Sequence, residues 1–282
     1  MAKKKVRRIT KRSTTRPQKE SIKPAVGAAR RKYARNFLSK VIARLDFDTG
    51  LSLSESAAPR ASASIQKRFP SAELQLLHEQ HIEVAKQDVL TTQLKTTNKR
   101  KVFWKFHTKS RDAYLEVGEN SLAINYHKYD SFERLESDFL LAMEHFLMPI
   151  QPLTAKRLGL RYVDTVELDE RKPTEWDKYL NPHLLAAFNL ADDRKTISRV
   201  FNVLEFNYGE SSLRFQYGMP NADYPATIRK KVFVMDWDAY SNVPLEGDEI
   251  KQQLHHFHNK IRASFEEVIT EALRKKMGKG NA

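Results

Sequence analysis

The sequence predicts an α+β protein. Two similar units, each running strand, helix, antiparallel meander and closing helix, are expected to join into one curved antiparallel sheet with helices packed on one face. Three observations predict it. Short runs alternate apolar with polar residues between glycine-bearing turns, which is the period of half-buried strands. Two segments, one mid-chain and one at the end, space their apolar residues at helical intervals. Hydrophobic residues are 40% of the 282, enough for a sizeable core, so a wholly disordered chain is excluded.

In the first unit, residues 36–48 read as a strand, with Leu45 and Phe47 alternating with Arg44, Asp46 and Asp48. Residues 57–68 read as a short helix stopped by Phe69-Pro70, because proline cannot continue it. Residues 74–84 read as a strand and the polar run 86–99 as a loop. Strands 101–108, 113–117 and 121–127 form a meander, the last two joined by the hairpin turn Gly118-Glu119-Asn120. Asp130 is the expected N-cap, with Glu133 three residues on. The helix it opens carries Phe132, Leu135, Phe139, Met143 and Phe146 on one face and stops at Pro149.

The second unit opens with strand 155–168. A helix capped by Thr174 is expected to bury Trp176, Tyr179, Leu180, Leu184 and Phe188. Strands 199–208, 211–217 and 227–237 follow, the first two joined at Gly209-Glu210. One long helix over 248–277 closes the chain, with Ile250, Leu254, Phe257, Ile261, Phe265, Val268 and Leu273 as its stripe and Gly278 as its stop. The expected organisation is a disordered basic arm at 1–32, a first half at 33–150 and a second at 151–282. The halves match in element order rather than residue identity. That order resembles the fold of TATA-box-binding proteins and of helix-grip lipid-binding domains, a topological likeness that does not specify function.

Charge is segregated. Residues 1–36 hold 14 Lys and Arg against one acid, Glu20, a net of +13, while the remaining 246 residues hold 35 basic and 34 acidic groups, a net of +1. Lys3, Lys4, Lys5, Arg7, Arg8, Lys11, Arg12 and Arg16 form the densest run. So few apolar groups accompany them that the arm cannot offset its own ordering entropy. Such arms bind polyanions by counterion release, with steep salt dependence and little sequence preference. The run from Lys3 to Arg8 would also serve as an import signal. No apolar segment follows it, so a secretory signal is not expected. No apolar run approaches the roughly 18 residues of a spanning helix, so no membrane partner is expected. The chain has no cysteine, which excludes disulfide scaffolds, zinc–cysteine sites and cysteine nucleophiles and fits a reducing, cytoplasmic setting.

Four stretches carry a family resemblance: Tyr33 with Phe69-Pro70, Arg157-Leu158-Gly159-Leu160-Arg161-Tyr162-Val163, Met235-Asp236-Trp237-Asp238-Ala239-Tyr240, and 257–270 with its Phe265-Glu266…Ile269-Thr270 motif. Together they resemble a sporadically distributed, functionally uncharacterised family of bacterial and archaeal proteins, over residues 33–282. That family supplies no catalytic residues. Its patchy distribution implies a role in antiviral defence or in a toxin–antitoxin system.

Chemistry-bearing constellations are few. Arg157 and Arg161 share one strand face across Gly159, which is read as relieving crowding or marking a bulge. Lys101, Lys105 and His107 share the face of another strand with Phe103. If Lys105, Arg157 and Arg161 meet on the open face of the sheet, they form a cationic, partly aromatic groove for single strands, a phosphate ligand or an acidic peptide. Otherwise they pair with the body's acids. Asp236 and Asp238 could hold a cation, but their expected role is capping the following turn. His255 and His258 have zinc-compatible spacing without an HExxH pattern, and with His256 they are expected to be solvated helix residues. No nucleophile elbow, P-loop or dinucleotide motif is present, and no metal or cofactor is expected. These readings lead to a non-enzymatic binding protein, anchored on nucleic acid by its arm and recognising a protein partner or ligand through its body. The alternatives are a metal-independent ribonuclease and a small-ligand sensor with an apolar cavity under the long helix.

Overall fold

The computed structural model describes residues 33–88, 91–147, 150 and 152–278, with backbone alone over 80–88 and 91–97. The chain divides into units 1–31 and 32–282. The expected arm, with Lys3, Lys4, Lys5, Arg7, Arg8, Lys11, Arg12 and Arg16, lies outside the described residues, as does Pro149.

The elements are β1 (Leu38–Phe47), α1 (Ala63–Arg68), β2 (Ser71–Asp88), β3 (Thr91–His107), β4 (Ala113–Gly118), β5 (Ser121–Tyr126) and α2 (Phe132–Leu147). Then come β6 (Thr154–Leu168), a 3-10 helix (Pro182–Leu190), β7 (Val200–Asn207), β8 (Ser211–Met219), β9 (Lys231–Ser241) and the short β10 (Leu245–Glu246). Two helices, α3 (Asp248–Val268) and α4 (Glu271–Met277), close the described chain. The strands form one large curved antiparallel sheet in the order β2-β3-β4-β5-β1-β6-β9-β8-β7, with β10 also paired to β6.

The register sorts side chains between the faces. Residues directly opposite across an antiparallel pair share a face. Phe106 faces Leu115, Leu115 faces Ile124, Ile124 faces Ala43, Ala43 faces Leu160, Leu160 faces Ala239 and Ala239 faces Leu213, and every one is buried. The adjacent row runs His107, Tyr114, Asn125, Ile42, Arg161, Asp238 and Arg214 on the other face. From α2, Phe132, Leu135, Phe139 and Phe146 enter the core, the last meeting Phe106 at 5.6 Å between ring centroids. From α3, Ile250, Leu254, Phe257 and Ile261 do the same.

The structure corrects several expectations. Residues 86–99 are not a loop: β2 and β3 pair from Ser71 opposite His107 to Asp88 opposite Thr91. Only Phe103–His107 of β3 also pairs β4, so the rest is a two-stranded ribbon running past the sheet. Backbone pairing satisfies that ribbon where no alternation marks a buried face. Thr174 heads no α-helix. The segment turns and then forms the 3-10 helix at Pro182, although Trp176, Tyr179, Leu180, Leu184 and Phe188 are all buried as expected. Proline has no N–H to continue the ladder, and the Asn181 side chain instead accepts from the His183 N–H at 3.0 Å.

The closing helix is broken at Ile269, which is extended at φ −102° and ψ 149°. There the Asn181 N–H donates to the Val268 carbonyl (2.8 Å) and the Thr270 N–H donates to the Tyr179 carbonyl (3.0 Å). Tertiary hydrogen bonds replace helical ones across the break. Ser131 rather than Asp130 caps α2, its Oγ accepting from the Arg134 N–H at 3.2 Å, while Asp130 pairs with the Arg134 side chain. The first helix is shorter than expected because Ser62 caps it, accepting from the Ile65 N–H.

Candidate functional site

The face of the sheet opposite the core carries the charged residues that the sequence singles out. On β6, Arg161 makes two hydrogen bonds to Asp236 of β9, Nε to Oδ1 at 2.8 Å and Nη2 to Oδ2 at 2.5 Å. This is a planar fork meeting a carboxylate. Those bonds hold the Arg161 guanidinium even more firmly charged than usual. Arg157 lies 3.7 Å from Asp238 and 4.6 Å above the Tyr240 ring. Burial pushes the Asp238 carboxyl up, against the pull of Arg157 and Arg161. The pairing continues outward with Arg44 on Asp46 (2.8 Å) and Arg214 on Glu205 (3.6 Å).

Lys105 and His107 lie on this same face, but on β3. Between β3 and β6 stand β4, β5 and β1, so four strand spacings, roughly 19 Å, separate them from Arg157 and Arg161. Lys105 has its own partner, Glu116 at 3.7 Å, and lies 4.8 Å above the Tyr114 ring. His107 Nε2 is 3.2 Å from Glu73 Oε2, misaligned for a hydrogen bond. Burial lowers the His107 pKa, helped by Arg111 and Lys105 and opposed by Glu73. The expected single cationic groove is therefore two separate patches, each faced by acids. Pairing across the strands follows from register, which places Arg161 opposite Asp238 and diagonal to Asp236.

Gly159 marks no bulge, since the register of β6 is continuous there with both β1 and β9. A Cβ would come no closer than 3.6 Å to the Arg157 guanidinium, an ordinary contact. A real requirement for glycine sits at Gly218 of β8, where φ is +148° and a Cβ would lie 2.1 Å from the Val200 carbonyl oxygen.

The α3 histidines tie helices together. His255 Nε2 lies 2.7 Å from Glu136 Oε1 of α2. His258 stacks on Phe132 at 4.0 Å between centroids, and its Nδ1 is 3.0 Å from the Tyr162 hydroxyl. Burial lowers the His256 pKa, with Lys260 adding to the effect. Asp236 and Asp238 are engaged by arginines rather than capping a turn. Among the described residues no group of three or more His, Asp or Glu has metal-holding geometry.

Sequence reasoning missed the polar groups on the core face. The Tyr162 hydroxyl also meets that of Tyr129 at 3.1 Å. Asp164, on the same face of β6 and 5% exposed, has its carboxyl pushed up to about 7 by burial. Tyr126 donates to Asp138 Oδ2, and Arg68 Nε donates to the same oxygen at 2.9 Å. Lys231 is buried with Nζ on the carbonyls of Lys172 and Glu175 and 3.0 Å from Glu170. Each polar residue interrupts an otherwise apolar row, which is the signal available in sequence. Comparison with family models, curated proteins and solved structures finds no match. Among the described residues no helix is long and apolar enough to cross a membrane.

Proposed function

We propose a non-enzymatic binding protein that its basic N-terminal arm anchors on nucleic acid and whose sheet body recognises a protein partner. The observation that carries this reading is the charge distribution: a net of +13 in residues 1–36 against +1 in the remaining 246. A nearly neutral body, with its open-face arginines engaged by acids at 2.5–3.7 Å, leaves the cationic arm as the part that binds polyanions. The strand order supports a duplicated body: β1-β5-β4-β3-β2 on one side of the β1–β6 pair and β6-β9-β8-β7 on the other. Contacts of α2 with Phe106 and of α3 with Tyr162, both on the core face, support helices packed on one side. The family resemblance drawn from the sequence adds a role in prokaryotic antiviral defence or a toxin–antitoxin system, and the cysteine-free sequence fits a cytoplasmic setting.

The test is binding of full-length protein and of protein lacking residues 1–32 to single- and double-stranded DNA and RNA across a salt series, with cleavage read on the same gels. For duplex DNA each phosphate contact adds about −0.9 to the slope of log K against log salt. The full-length protein is expected to bind with a steep slope and without cleavage. The truncated protein is expected to lose that binding with its melting temperature nearly unchanged. Equal binding by the truncated protein, or cleavage by either, overturns the reading.

A further inference from the structure

The two outer strands of the sheet are built differently. Along its described side chains β2 carries charge, with Glu73 beside His107 and Arg111 and Glu79 bonded to Lys101. The eight residues of β7 carry one charge, Glu205, which faces Arg214 of the neighbouring β8. Phe201 (59%), Val203 (50%), Leu204 (46%) and Phe206 (39%) are exposed along it. Their register partners on β8, Gly218, Gln216, Phe215 and Leu213, place Phe201 and Val203 on the charged face and Leu204 and Phe206 on the core face. Beyond the strand, the Tyr208 ring lies 6.3 Å from that of Phe206 and is itself covered by the Lys260 ammonium of α3, so the apolar row ends there. Free sheet edges are ordinarily blunted with lysine, proline or a bulge. β7 has no lysine, no proline and no break in its register with β8.

Apolar side chains on both faces of one edge define what covers them. A body laid on either face leaves the other in water, whereas a strand added in the plane of the sheet covers both. That strand needs apolar residues on both faces and no charge left unpaired. β7 itself meets the requirement. We infer that β7 pairs antiparallel with β7 of a second copy across a twofold axis, giving a dimer with one continuous sheet. An axis normal to the sheet must pass through a residue pair, because pairing between residues of opposite parity would set a core-face side chain on the charged face. An axis at Val203 sets Phe201 opposite Glu205 of the second copy, and an axis at Leu204 sets Val203 there. In neither register do like charges oppose each other. The inference does not depend on the arm's binding nucleic acid.

The cysteine-free sequence makes a clean test. Single cysteines are introduced into the full-length protein at Val203→Cys, at Leu204→Cys and, on the other outer strand, at Leu77→Cys, which is 43% exposed in the native protein. Directly opposed residues in an antiparallel pair have Cα atoms about 4.5–5.5 Å apart, within disulfide reach. At high salt, light scattering of the native protein is expected to give a dimer. Oxidation should cross-link one or both β7 cysteines much faster than the β2 cysteine. Val203→Lys should give a folded monomer whose melting temperature, unlike that of the native dimer, does not rise with protein concentration. A native monomer at all concentrations, a dimer that survives Val203→Lys, or cross-linking at Leu77→Cys as fast as at both β7 positions overturns the inference.

Discussion

Both faces of β6 carry polar side chains, but under opposite physical rules. On one face Arg157 and Arg161 stand partly in water, each beside a carboxylate of β9. On the other, Tyr162 and Asp164 are buried at 5% exposure each. The Tyr162 hydroxyl is satisfied by Tyr129 and His258, while burial alone sets the Asp164 shift. Adjacent residues along one strand thus belong to a charge lattice and to a dry core. The difference teaches that register, not residue type, decides which chemistry a side chain has. A slip of one residue would exchange the two sets.

The sharpest way to break this contrast is Arg161→Ala. It leaves the Asp236 carboxylate, in a residue 8% exposed, without its fork of hydrogen bonds. Because the Arg161 side chain is itself 42% exposed, the expected loss is about 2 kcal/mol rather than the full cost of a buried broken pair. Denaturant unfolding measures it, and the double variant with Asp236→Ala should recover part of the loss. Arm-dependent nucleic-acid binding should be unchanged, and a parallel fall in affinity would return the function to this face.

Asp164→Asn acts on the other face and should show itself through pH. The Asp164 carboxyl titrates at about 7 when folded against 3.8 in the unfolded chain. The native state therefore binds its proton more tightly, and stability is undiminished below the unfolded value. It is lost as pH rises through the folded one, because the unfolded state ionises first. Asparagine carries no such penalty. Thermal melts should show the variant gaining on the native protein between mildly acidic and mildly alkaline buffer. A gap that is constant or shrinking with pH would contradict the buried, neutral acid.

The smallest effect is expected within the charged row itself, between the two arginines. Gly159→Ala places a methyl in ordinary contact with the Arg157 side chain at 3.6 Å. It also removes the entropic weakness of a glycine within a strand, so the unfolding free energy from denaturant titration should stay the same or rise by about a few tenths of a kcal/mol. A loss beyond 1 kcal/mol or so would mean that the arginine pairing needs closer backbone approach than the structure has.

Much of the fold is legible along the chain. Alternation at Arg44–Phe47 and at 113–127, and the helical stripes from Phe132 and Ile250, locate elements because one face of each is buried. Legibility fails where that condition fails. The ribbon at 86–88 and 91–99 extends past β4, and its two strands pair with each other through the backbone. The segment 174–190 has core residues but forms turns and then a 3-10 helix that opens at Pro182, since proline cannot continue an α-helix from the residues before it. The break at Ile269 is invisible locally because its cause, Tyr179 and Asn181, lies ninety residues away. At the candidate site, the residue types on each strand were readable, and their company was not.

Local sequence sufficed for the separation of charge between the first 36 residues and the rest, the strand and helix periods, and the identity of most core residues. These follow from composition and nearest neighbours, which no folding step alters. Tertiary structure decided that β1 and β6 lie side by side, that Arg157 and Arg161 meet Asp238 and Asp236 instead of Lys105, and that β7 ends the sheet. Strand order and register are long-range pairings. They arise from the combined burial of faces distant in sequence, and no local window contains both partners.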